Sequence, residues 1–219
     1  MSPPVLGAGF FARDTASVAR DLLGCVVVSS AGGETTSGRI VETEAYLGAG
    51  DLGSHAATHG ITARNAVMYG PPGHAYVYFT YGNHHMLNLV AEPEGSAGGV
   101  LIRALEPLDG VEVMMRRRIQ GRRSASHLAV GDLANGPGKL AAALGIDLTV
   151  NGEPLDGSAT LSVLGREGPA PVVASSGRIG LSAGHETELR FFIEGDRHVS
   201  PARPGLRVPS RSNTKGTGR

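Results

Sequence analysis

The segment that most narrows the folds open to this chain is AYVYFTYGNHHMLNLV, residues 75–90. Two strand-forming runs flank Gly82-Asn83, a dipeptide suited to a tight turn, so the segment predicts a β-hairpin with its tip near residues 81–84. A hairpin commits at least that part of a sheet to antiparallel pairing. Further strands are expected over CVVVSS (25–30), RIVETEAYL (39–47) and GVLIRALEPL (99–108), with short strands and turns ending around ELRFFIEGD (188–196). Helices fit the run behind Asp14 and Thr15, GVEVMMRRRI (110–119), and GPGKLAAALGI (136–146), where Pro137 suits a start and Gly145 a stop. The 33 glycines and 13 prolines argue against a helical bundle. One mixed α+β domain over residues 1–200 is the simplest organisation. Residues 201–219, basic and proline-bearing, read as a flexible tail.

With 219 residues and 41% hydrophobic content, the chain can bury a real core. Cys25, the single cysteine, excludes a disulfide framework or a cysteine-rich zinc site. No apolar stretch reaches the length of a membrane span, and MSPPVLGAGFFARD lacks the order of a secretory leader. A soluble, intracellular protein is expected, in the cytoplasm or nucleoid if bacterial. The formal net charge of zero argues against indiscriminate nucleic-acid binding. Basic residues nonetheless cluster: Arg116, Arg117, Arg118, Arg122, Arg123 and Lys139 face only Asp132 across residues 114–139. A solvated face and a phosphate-binding stripe both fit such a cluster.

Two glycine motifs are partial matches. GAGDLG (48–53) has the spacing of a dinucleotide fingerprint, but its strand carries Glu42 and Glu44 and no helix follows. GPGKL lacks the first glycine and the hydroxyl residue of a P-loop, although a helix N-terminus with Lys139 beside it can hold a phosphate. Asp51, His55 and His59 are spaced by four, which serves a metal only on a helix, and the flanking glycines oppose one there. No metal or cofactor is expected.

The strand RIVETEAYL places Glu42, Glu44 and Tyr46, with Ile40, on one expected face. On an exposed edge two acids add solubility; in a pocket they are candidate acid–base groups. Tyr76 and Tyr78 share a face, either as core residues with bonded hydroxyls or as aromatic walls. Tyr81, at the hairpin tip, has no packing motive there and suits a wedge or stacking platform. Asn88 sits among apolar residues and must be hydrogen-bonded if buried.

RIVETEAYLG, ARNAVMYGPPGHAYVYFTYGNHHMLNLV, VLIRALEPLDG and NGPGKLAAALGI, taken together and in order, closely resemble the 3-methyladenine (alkyladenine) DNA glycosylase family. The similarity covers roughly residues 5–200. It implies a single mixed domain with a curved antiparallel sheet, from which a protruding β-hairpin enters DNA. It also implies hydrolysis of the N-glycosidic bond of damaged purines in double-stranded DNA: alkylated adenine and, in some members, hypoxanthine and ethenoadenine. Neither metal nor covalent enzyme intermediate is implied, and a monomer is expected. The catalytic base falls on Glu44, and Arg103 matches the arginine that orients the water. Tyr46, His55 and Tyr78 match the residues that sandwich the flipped base, Tyr81 the intercalating residue, and Asn88 the amide that opposes guanine. Arg64 and Lys139 match phosphate-contacting positions.

The residues suit that chemistry in their own right. A base inside a duplex must be extruded, its gap filled and its ring held by stacking before its glycosidic bond is reachable. A carboxylate near the sugar can then activate water and stabilise developing positive charge. The rival reading is a hydrolase of small nucleosides or glycosides using Glu42 and Glu44 as a pair. A catalytically silent lesion-binding protein is a further alternative, opposed by the presence of both Glu44 and Arg103.

Overall fold

The structure, a computed structural model, describes residues 3–48, 50–54, 60–80, 82–120, 128–181, 184 and 186–201. His55, Tyr81, Arg122, Arg123 and the expected tail from residue 202 onward lie outside the described residues.

The strands are β1 (Val26–Ser29), β2 (Thr36–Tyr46), β3 (Ala75–Thr80), β4 (His84–Val90), β5 (Gly99–Pro107), β6 (Leu161–Leu164), β7 (Val173–Ser176) and β8 (Arg190–Ile193). They form one antiparallel sheet in the order β3-β4-β5-β2-β1-β6, with β8 joining β2 and β7 joining β8. The hairpin of β3 and β4 pairs Tyr76 with Asn88, Tyr78 with Met86 and Thr80 with His84. Its two strands match the runs expected from sequence to within a residue.

Strand β2 is the spine. Along one edge it pairs with β5; along the other, residues 36–39 pair with β1 and residues 42–44 with β8. Its register against β5 shifts between Ile40 and Glu42 and again between Glu42 and Thr43. Such irregularities bend a strand and raise its twist, and the sheet is strongly curled. Glu42, Glu44 and Tyr46 do share a face, whereas Ile40 lies across the shift and belongs to the apolar core.

The helices are α1 (Ala8–Phe11), α2 (Thr15–Asp21), α3 (Val111–Ile119) and α4 (Pro137–Leu144). Asp14 caps α2 by accepting from the Ser17 N–H at 2.8 Å. Pro137 opens α4, and Gly145, at φ 71°, closes it in the left-handed conformation. Helix α2 packs on β2 and β5, and α4 on β4 and β5. The main core lies there, with Val77, Leu87, Leu89, Ile102, Leu140 and Leu144 all buried. Thr43 marks the helix-facing side of β2, its hydroxyl donating to the Ala19 carbonyl of α2. The residues between these inward positions (Glu44, Tyr78, Asn88 and Arg103 among them) therefore present the other face of the sheet.

The arginines of α3 are absorbed by the protein itself. Arg116 pairs with Glu34, Arg117 donates to the carbonyls of Ala31 and Ala143, and Arg118 donates to that of Leu133. The Arg117 contact satisfies a carbonyl in the last turn of α4, which a helix leaves open. These three side chains thus tie α3 to its neighbours. No described helix is long and apolar enough to cross a membrane.

Candidate active site

The sheet face opposite α2 carries a cavity of about 340 Å³. Strand alternation supplies its walls: Tyr76, Tyr78 and Thr80 from β3, Met86 and Asn88 from β4, Leu101 and Arg103 from β5, and Tyr46 from the end of β2. Met68 and Pro137 add apolar surface, and Ile179, Gly180 and Leu181 close the side away from the hairpin. Tyr76 and Tyr78 lie with ring centres 5.4 Å apart at a tilt of 38°. Tyr76 is buried with Met68 and Val90, so both readings open in the sequence hold: it packs in a small apolar cluster and lines the cavity.

Glu44 lies immediately behind this wall, fully buried. Its Oε2 accepts from the Tyr46 hydroxyl at 2.8 Å and lies 3.3 Å from Arg103 Nη1. Its Oε1 accepts from the backbone N–H of Ile179 at 2.7 Å. All three donors complement a carboxylate anion, and all three belong to residues that line the cavity. Burial, and then the Glu44 charge, push the Tyr46 phenol well above its ordinary range, so it remains a proton donor. Burial alone would lower the Arg103 guanidinium, but the carboxylates of Glu44 and Glu42 outweigh it and raise its pKa. Arg103 keeps its charge.

Glu42 is engaged differently. Its Oε1 accepts from Arg103 Nε at 3.0 Å, Arg190 Nε at 2.6 Å and the Ser200 hydroxyl at 3.0 Å; its Oε2 accepts from the Ser200 N–H at 2.7 Å. Like Glu44 it is fully buried and does not itself line the cavity, but its partners Arg190 and Ser200 do not line it either. A carboxylate held by four donors has little capacity left for a water or a sugar. Glu42 therefore serves as an ionic anchor, which counts against the paired-carboxylate reading.

The other sequence-derived positions fall around the cavity. Asn88 is buried, and its Nδ2 donates to the Tyr76 carbonyl at 3.2 Å, which fixes the amide plane. Arg64 sets its guanidinium carbon 5.1 Å from the centre of the Tyr78 ring and donates to the Phe79 carbonyl. Lys139 donates to the Asn135 side chain at 2.6 Å, close to Pro137 at the cavity edge. His55 and Tyr81 lie outside the described residues.

Sequence reasoning missed Arg190, Ser200, Arg178, Ile179 and the apolar lining from Met68, Met86 and Leu101. An arginine inside the apolar strand LRFFI, and another among the small residues SSGRIG, were the available signals. Asp51 proves unfit for the metal spacing considered for it, since both its oxygens bind Arg178. Elsewhere, Glu106, Asp196 and His198 approach one another closely enough to suggest a cation. Arg39 supplies that charge, donating to Glu106 at 2.6 Å and to Asp196 at 2.8 Å.

A flat-walled cavity backed by a carboxylate suits a planar ring. A family model described as methylpurine-DNA glycosylase (MPG) matches residues 9–197. A protein of Chlorobaculum parvum named "Putative 3-methyladenine DNA glycosylase" is 45% identical over 211 residues, covering 96% of this chain and 96% of that protein. Proteins of the same name from Chlorobaculum tepidum and Methanoculleus marisnigri are 43% and 44% identical, covering 96% and 89% of this chain and 97% and 98% of their own lengths. The chain belongs to the methylpurine-DNA glycosylase family.

Proposed function

We propose that this enzyme excises alkylated adenine from double-stranded DNA, using a Glu44-activated water and leaving an abasic site; hypoxanthine and ethenoadenine, which some family members accept, are the further candidates. The observation that carries the reading is Glu44: a buried carboxylate, ringed by three donors, directly behind a cavity walled by Tyr46, Tyr76 and Tyr78.

Each residue has a role in this reading. Tyr46 and Tyr78 stack on the extruded base, with His55 completing the sandwich, while Tyr81 fills the gap in the duplex. An alkylated purine is cationic and is attracted to electron-rich ring faces. Glu44 takes a proton from the attacking water, the water oxygen bonds to the sugar C1′, and the glycosidic electron pair leaves with the base. Arg103, held by Glu42 on its Nε side, keeps its Nη1 toward Glu44 and orients the water. Asn88 opposes the exocyclic amine of guanine, and Arg64 and Lys139 meet phosphates at the cavity edge.

The test is single-turnover excision from duplex oligonucleotides carrying an alkylated adenine, hypoxanthine or ethenoadenine, without added metal. Abasic sites that form only at the lesion position establish the activity and rank the substrates. Release of base from free nucleosides, with every duplex left intact, would establish the small-nucleoside hydrolase instead.

A further inference from the structure

Among the described residues the largest fully buried side chain belongs to Arg178, 1% exposed, which no step of the proposed reaction uses. Its Nη1 donates to Asp51 Oδ2 at 2.6 Å and to the Ala45 carbonyl at 2.9 Å; its Nη2 donates to Asp51 Oδ1 at 2.5 Å and to the Gly184 carbonyl at 3.0 Å. This forked pair is geometrically specific in a way that a lysine cannot reproduce. Asp51 in turn accepts from the N–H groups of Leu47 and Gly53, at 2.9 and 3.0 Å. A single ion pair therefore joins the turn that leaves β2 to the segment that closes the cavity. The fit is close: a Cβ on Gly53 would stand 2.7 Å from Arg178 Nη2.

Two links run from this pair to the reacting groups. The guanidinium carbon lies 4.8 Å from the centre of the Tyr46 ring, which lines the cavity and whose hydroxyl donates to Glu44. The next residue along the chain, Ile179, donates its N–H to the other oxygen of Glu44. Arg178 Nε finds no hydrogen-bond acceptor among the described residues, so the side chain is held by its two Nη groups and by packing.

We propose that Arg178, locked by Asp51, is a positioning residue that sets the orientation of the Glu44 carboxylate and of the Tyr46 ring against the bound base. The inference rests on the glycosylase reading and adds to it a pair of residues that touch neither base nor water. Because Arg178 and Asp51 neutralise one another, their contribution is geometric. A displacement of about 1 Å at a reacting group can cost about 100-fold in rate.

The experiment compares wild type, Arg178→Lys, Asp51→Asn and the double variant on a lesion-bearing duplex with enzyme in excess. Rate constant, reaction amplitude, duplex affinity and melting temperature are measured for each. The expected result is a rate constant lower by about 10- to 100-fold, with lesion-duplex affinity within threefold of wild type. The double variant should be no slower than the worse single variant, since the two residues act as one unit. A role in folding alone lowers amplitude and melting temperature while active molecules keep the wild-type rate constant, and that pattern overturns the proposal. Should Arg178→Lys fail to fold, Asp51→Asn decides the matter by the same readouts. An active wild type with unimpaired variants removes this inference and leaves the glycosylase reading intact. A wild type inactive on every lesion removes both.

Discussion

Arg103 is shared by the two buried carboxylates of β2: its Nε donates to Glu42 at 3.0 Å while its Nη1 faces Glu44 at 3.3 Å. One guanidinium thus connects an acid whose lone pairs are taken by the protein to an acid whose remaining lone pairs lie behind the cavity wall. The same residue type in the same strand does two jobs because the two environments differ. Glu42 also meets Arg190 and Ser200, whereas among the described residues Glu44 meets only donors that line the cavity.

Substitutions at these two acids should separate. Glu44→Gln should bind lesion duplex as wild type does but excise about 10²- to 10⁴-fold more slowly, the usual contribution of a general base. Glu42→Gln should first lower stability, by about 3–5 kcal/mol, since it leaves buried arginine charge short of a partner. Single-turnover rates and urea denaturation read the two effects. Wild-type excision by Glu44→Gln would remove Glu44 as the base.

Asn88→Ala should relax base selectivity. Its amide is buried and pinned to the Tyr76 carbonyl, so it cannot swing aside for a larger base edge. Excision of guanine-type lesions relative to ethenoadenine should rise by roughly 10-fold, the scale on which a pocket contact discriminates. An unchanged ratio of rate constants would assign Asn88 to folding alone.

Gly138 in α4 faces the His84 ring so closely that an added Cβ would stand 2.7 Å from its Cγ. Gly138→Ala should therefore destabilise the protein even though alanine favours a helix by about 1 kcal/mol. In a His84→Ala background the same change should become less destabilising, since the ring is gone and only the Cβ of residue 84, 3.0 Å away, remains. A double-mutant cycle in thermal denaturation checks this. Equal effects in both backgrounds would show that the ring can yield.

His84 also carries a pH signature. Burial, then the charges of Arg118 and His85, lower its pKa below the ordinary 6.5. The unfolded chain consequently binds a proton more readily than the folded one, so its contribution is complete above about pH 6.5 and is lost as pH falls toward the lower folded value. Stability measured against pH should fall less steeply on the acid side for His84→Asn than for wild type. Parallel curves would count against a depressed His84.

Salt should weaken duplex binding steeply, but through Arg64 and Lys139 and not through the helix of clustered arginines. Arg116, Arg117 and Arg118 are already bound to Glu34 and to main-chain carbonyls. Arg64→Ala and Lys139→Ala should each reduce the slope of log affinity against log salt by about 1. Arg117→Ala should leave that slope unchanged and lower the melting temperature.

The elements of this fold were legible because each is written locally. The turn dipeptide and the alternating runs marked β3 and β4, the Asp14 cap marked α2, and Pro137 with Gly145 bracketed α4. The common face of Glu42, Glu44 and Tyr46 also followed from strand periodicity, as did the pairing of Tyr76 and Tyr78. Which charge meets which did not. Arg190 reaches Glu42 from 148 residues away and Ser200 from 158, while Asp51 and Arg178 lie 127 apart. No periodicity links such positions; only the pairing of β8 with β2, and the return of residues 178–181 over the cavity, brings them together. The sequence by itself determined the main strands, the three longer helices and the residues offered to one face of the sheet. The tertiary structure decided which acid became an anchor and which was held by the residues of the cavity wall, because a buried charge takes its character from the partners that packing brings to it.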